Sequence, residues 1–160
     1  MLEGSPPRTS LWDFSVSLYG KPGVAQECLS LQERFGVDVM LLLLAAYGGA
    51  ELGALLSSED LAEADRLVAQ WRGNVVRRLR GLRQFLKASP DAPTQALRAK
   101  VKEAELDSER IEAAILERWL DSRVSALTRS TRAAAVAHNI QSVLAFYGAA
   151  GVALRHLYDC

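Results

Sequence analysis

The residues best equipped for chemistry are a basic cluster, Arg72, Arg77, Arg80, Arg83 and Lys87, and three carboxylates further along, Glu105, Glu109 and Glu112. Arg77, Arg80 and Arg83 recur every three residues, so on a helix they drift along one flank, and Arg72 extends the patch. A flank of this kind can hold a phosphate, a nucleotide or an RNA backbone, because guanidinium groups pair well with phosphate oxygens. It can equally be a solvated helix end whose arginines bridge to Glu105, Glu109 and Glu112 on a neighbouring helix. The three glutamates sit beside an apolar seam on a charge-rich helix, where solvated or salt-bridged carboxylates are expected rather than an acid–base pair. Asp38 stands just ahead of a leucine run. It reads as a helix cap, with a buried functional acid as the alternative.

Other chemistries lack their residues. The histidines are His138 and His156, and a Glu-x-x-His metal motif would need glutamates at 135 and 153, where the chain has alanines. Zinc-type spacing, a Gly-x-Ser-x-Gly elbow and a glycine-rich phosphate loop are missing from the sequence. No metal, cofactor or catalytic residue is therefore assigned. Cys28 falls in an apolar helical pattern and reads as a small buried hydrophobe, and Cys160 is the last residue. Trp12, Trp71 and Trp119 lie on or beside apolar faces, where core packing is the first expectation and a pocket lining the second.

A chain of 160 residues, 49% hydrophobic and 24% charged, has the size and balance of one globular domain. Nineteen basic side chains meet nineteen acidic ones. Zero net charge disfavours a nucleic-acid-binding domain and permits self-association. The start "MLEGSPPRTS" lacks the charge pattern of a signal peptide. The apolar run from Val39 ends at Glu51, and the run from Val143 ends at Arg155, both short of the about 20 apolar residues a membrane span needs. A soluble cytoplasmic protein without a membrane segment is expected.

The elements that must position these residues are all helical. Residues 1–9 read as a loose tail. Ser10 caps a first helix over "LWDFSVSLY", which "GKPG" ends. Val24 to Phe35 forms a second, closed by Gly36. The third, "VDVMLLLLAAYGGAELGALL", is apolar on every side at its centre and so must be buried. Its glycines mark either a helix end or a close helix–helix approach. "SSED" starts a fourth helix running to about Lys87, with a stripe of Leu61, Ala64, Val68, Trp71, Val75, Leu79, Leu82 and Leu86. A fifth spans Gln95 to Arg118 or beyond, with a seam of Leu97, Val101, Ala104, Ser108, Ile111, Ile115 and Trp119. Its natural partner is the preceding helix, as an antiparallel hairpin. After a polar connector, a last helix runs from Arg132 to Tyr158. "LLLLAAYGGAELGALL" and "QSVLAFYGAAGVALRHL" echo one another, as two buried central helices would.

The order "LWDFSVSLYGKPGV", "GVDVMLLLLAAY", "WRGNVVRRLRGLRQFLK", "VKEAELDSERIE" resembles an uncharacterised proteobacterial family classed as domain of unknown function 2390, over residues 11 to about 112. The chain departs from that pattern at Met40, where the family usually carries asparagine. The resemblance implies a bacterial protein and brings no activity, cofactor or catalytic residue with it.

These readings converge on an all-α single domain over residues 10–158, of five or six helices, with the third and the last central. The leading functional expectation is a non-enzymatic interaction or regulatory protein, acting as a homodimer or with a protein partner. The alternative is a small-molecule or anion binder, or an enzyme, using a groove lined by Arg72, Arg80 and Arg83 with Glu105 or Glu109. RNA binding ranks third.

Overall fold

The computed structural model describes residues 7–160. Its α-helices are α1 (Leu11–Tyr19), α2 (Val24–Phe35), α3 (Val39–Leu52), α4 (Ser58–Trp71), α5 (Arg77–Leu86), α6 (Ala92–Arg123) and α7 (Arg132–Phe146). A π-helical turn, Arg72–Val76, joins α4 to α5 without a break, so the fold is an all-α bundle of six rods. Among the described residues, the β-type pairing is a single isolated bridge, Ala54 with Arg129. Residues 1–6 of the expected tail lie outside the described residues. Next to them, Arg8 pairs with Asp121 at 2.5 Å, and the Thr9 carbonyl accepts the Tyr47 hydroxyl at 2.9 Å.

Short polar side chains set the helix starts. Ser10 Oγ accepts from the Asp13 amide at 3.1 Å, Asp38 Oδ1 from the Leu41 amide at 2.9 Å and Asp91 Oδ2 from the Thr94 amide at 2.9 Å. Ser57 and Asp60 form a reciprocal capping box, with bonds of 3.1 and 2.9 Å. Each cap satisfies an amide with no partner inside its helix, worth about 1 kcal/mol. Asp91 moves the start of α6 ahead of the expected Gln95, since Pro93 is tolerated in a first turn whose amide protons are free anyway.

The core is built around α3, whose residues Leu41 to Gly49 are all buried. Its main partner is α7, and Gly49 decides how close the two lie. A Cβ on Gly49 would stand 2.5 Å from the Val136 nitrogen, so only glycine permits this approach. Of the two meanings open to the glycines, Gly49 is the close contact and Gly53 caps the helix. Asn139 of α7 is fully buried and fully used. It accepts from the Leu56 amide at 2.8 Å and donates to the carbonyls of Ala45 and Ala54 at 3.1 and 2.8 Å. The α3–α4 loop is thereby tied to the last helix.

The last helix is shorter than expected: it ends at Phe146, not Tyr158. Gly148 adopts φ +71°, a left-handed turn that stops the rod. The two Tyr-Gly echoes therefore differ in role, since Tyr47-Gly48 lies within α3 while Tyr147-Gly148 terminates α7. The remaining segment is laid against α2. The Glu27 carboxylate accepts the backbone amides of Arg155, His156 and Leu157, with His156 at 3.1 Å and Leu157 at 3.0 Å.

Candidate functional site

The π turn is the device that positions the site. The Arg77 amide bonds to the carbonyl of Arg72, five residues back, where an α-helix would bond four back. One extra residue in the turn rotates everything after it by about 100° relative to an uninterrupted helix. The apolar stripe of α4 accordingly does not continue as expected. Val76 is buried in place of Val75, Leu82 is 45% exposed, and Arg80 and Arg83 turn into the inward, half-buried positions.

A matching rotation holds on α6. The expected seam included Leu97, Ala104 and Ile111, but Leu97 and Ile111 are about half exposed and Ala104 is exposed. The buried line runs Val101, Glu105, Ser108, Glu112, Leu116, Trp119. Val101, Ser108 and Trp119 of the expected seam are on this line, and two carboxylates expected beside the seam have joined it. Glu105 meets guanidinium groups that α5 presents to it, whereas Glu112 has no such partner.

Together these rotations open a cleft of about 870 Å³ between α1, the α2–α3 junction, the π turn, α5 and α6. Asp38, Arg72, Arg77, Arg80, Arg83, Glu105, Glu109 and Glu112 all line it. Lys87, also a candidate, does not; it is exposed at the far end of α5. Trp12 lines the cleft, with the Arg110 guanidinium 5.2 Å from its ring, whereas Trp71 donates to the Ser108 carbonyl at 2.9 Å and Trp119 is buried in the core. Ser15 and Tyr19 of α1 were missed by sequence reasoning. Ser15 sits one turn from Trp12 and Tyr19 two, a polar thread along an otherwise ordinary amphipathic helix.

The arginines enter the cleft already paired. Arg80 donates through Nε to Glu105 at 3.1 Å and through Nη2 to Glu109 at 2.7 Å. Arg83 grips both oxygens of Glu105 in bidentate fashion. Arg72 donates to Asp65 at 2.7 Å, and its Nη1 lies 3.4 Å from Asp38 Oδ2. Asp38 is thus both the α3 cap and a wall of the cleft. The bridges considered from sequence are present to Glu105 and Glu109. Among the described residues, none reaches Glu112.

The three α6 carboxylates therefore ionise differently. Burial opposes the charge on Glu105, but Arg83 and Arg80 outweigh it and hold the group below the usual carboxylate range. Burial lifts Glu109 above that range, helped by Glu105 and opposed by Arg80. Glu112, 2% exposed, is pushed up to about 8 by burial and then by Asp38, with Arg72 pulling the other way. Three buried polar atoms on the cleft wall have no hydrogen-bond partner: Ser15 Oγ, Arg72 Nη1 and Glu112 Oε1. Two further such atoms, Trp119 Nε1 and Arg123 Nε, belong to residues away from the cleft; orphaned buried polar atoms are rare in native folds and cost about 1–3 kcal/mol each, so three on residues of one lining mark it as a candidate site.

Elsewhere the chemistry is muted. Burial drives the Cys28 thiol up to about 12, leaving it protonated and unreactive. Among the described residues, no group of three or more His, Cys, Asp and Glu side chains is placed to hold a metal ion, and no helix is long and apolar enough to cross a membrane.

Residues 10–116 match the model of a family described as protein of unknown function (DUF2390). No curated protein and no solved structure matches the chain.

Proposed function

The chain belongs to the DUF2390 family, and we propose that it is a small-molecule-binding protein whose site is the cleft between the π turn, α1 and α6. The observation that carries this reading is that two buried side chains with an atom lacking a hydrogen-bond partner, Ser15 at Oγ and Glu112 at Oε1, belong to the lining of one 870 Å³ cleft. That volume lies in the range of small-molecule sites, and the cleft sets apolar wall beside charged side chains able to orient a ligand. The π turn supports the same reading, since such turns recur where function outweighs helix regularity. Two free cysteines agree with the bacterial cytoplasm as its place of work.

A thermal-shift screen against nucleotides, phosphorylated metabolites, amines and lipids tests the proposal. A stabilising compound whose effect disappears in a cleft variant such as Tyr19→Ala supports it. A screen without any hit, or hits that survive cleft substitutions, overturns it.

A second reading, self-association, rests on a different place. Phe85 is 78% exposed at the end of α5, with Leu82 three residues before it on the same face and 45% exposed. Sedimentation of the parent and of Phe85→Glu distinguishes a dimer held there from a monomer.

A further inference from the structure

The cleft's polar groups do not contribute equally to recognition. Its buried arginine charge is already answered within the protein: Arg80 by Glu105 and Glu109, Arg83 by Glu105, Arg72 by Asp65 and Asp38, while Arg77 and Lys102, exposed at its rim, have no ion pair among the described residues. An anion entering here would have to displace carboxylates from short, partly desolvated bonds. The buried group left without an answer is Glu112. It is 2% exposed, lines the cleft, and has a buried oxygen, Oε1, with no hydrogen-bond partner. Ser15 Oγ, 4% exposed, is the second unpartnered group on the same wall.

We infer that the occupant of this cleft is an organic cation, an amine or amidine carried on an apolar body, whose charged group meets Glu112. This inference rests on the small-molecule reading above and names its ligand class. The body is matched by apolar wall: Trp12 and Val16 on α1, Met40 and Leu43 on α3, Val76 at the end of the π turn and Leu106 on α6.

The titration of Glu112 points the same way. The groups facing it are Asp38 from the α3 cap, Arg72 from the π turn, Arg80 from α5 and Glu109 from its own helix. Burial and then the Asp38 charge make the site prefer a bound proton to a bare carboxylate, with a midpoint pushed up to about 8. A proton is the smallest cation, and an ammonium or amidinium group can take its place. Binding then releases one proton, and affinity for a permanently charged amine rises about tenfold per pH unit up to that midpoint. An oxyanion ligand would require the protonated carboxyl as a donor and would weaken as pH rises through the same range. The direction of the pH dependence therefore separates the two.

The test uses the full chain and three probes of one shape and different charge: tryptamine, tryptophol and indole-3-acetate, titrated calorimetrically at pH 6.5, 7.5 and 8.5. The expected result is binding of tryptamine alone, about tenfold tighter at pH 7.5 than at 6.5, with release of a proton. Glu112→Gln should abolish the pH dependence and weaken tryptamine at least tenfold while leaving the circular dichroism unchanged. If that variant does not fold, the pH series on the parent decides the matter. Equal binding of all three probes, or preference for indole-3-acetate with affinity falling as pH rises, overturns the cation assignment and leaves the small-molecule reading standing. If none of the three binds at millimolar concentration, the cation assignment is overturned, and the broad screen alone decides the small-molecule reading.

Discussion

The two halves of this bundle bury polar groups in opposite ways. Where α7 crosses α3, Asn139 is fully buried and all three of its hydrogen bonds are made, to Leu56, Ala45 and Ala54. Where α5 and α6 face α1, Glu112 is almost as buried, yet Oε1 has no partner. A satisfied buried amide specifies one packing and rigidifies it. An unsatisfied buried carboxyl costs stability in the free protein and retains the capacity to bind something else. The first half holds the fold together, and the second half carries the proposed site.

Breaking the close approach of α3 and α7 should have the largest effect. Gly49→Val puts a branched side chain where even a Cβ would lie 2.5 Å from the Val136 nitrogen. Overpacking of this kind costs about 3 kcal/mol or more, enough to cause loss of soluble product or a large drop in urea midpoint. Asn139→Ala converts the first half into a copy of the second. It strands the Leu56 amide and two carbonyls in the core and should cost about 2–4 kcal/mol by chemical denaturation. A loss below about 0.5 kcal/mol would show that water replaces the side chain and would end the contrast.

On the other side, Arg80→Ala removes the bridge between Glu105 and Glu109 and leaves Glu105 with Arg83 alone. About 1–2 kcal/mol is expected, reduced because the Arg80 side chain is 31% exposed.

Glu112→Gln should act in the opposite direction and is the finest probe of the comparison. The folded chain holds the Glu112 proton more tightly than the unfolded chain, whose carboxyl titrates near 4.5. Parent stability from this group is therefore full below about pH 4.5 and is lost as pH rises to about 8. Glutamine carries no such loss. The variant should melt close to the parent at pH 5 and about 10 °C above it at pH 8, since a shift from 4.5 to about 8 is worth about 4 kcal/mol there. A variant less stable than the parent at both pH values would mean that Glu112 serves the fold.

Much of this architecture was legible locally. Ser10, Asp38 and Ser57 announce helix starts with side chains that reach only three residues ahead. The leucine run of α3 could be nothing but interior, because no face of it carries charge. The same locality misled at the site. The stripe through Leu82 and the seam through Ile111 are the apolar periodicities that the residues spell out, and both residues are exposed. The arginine–glutamate pairing was readable as one of two alternatives. The unpaired state of Glu112 was not, since it depends on which partners stop short of it.

The sequence by itself determined that this protein is a set of capped helices with α3 at the centre, because caps and apolar periodicity act over one or two turns. Only the tertiary structure decided which way α5 and α6 face. Rotation of a helix about its own axis is chosen by the neighbours it packs against. Here a single extra residue in the turn at Arg72–Val76 brings arginine to meet glutamate and leaves Glu112 unanswered in the cleft.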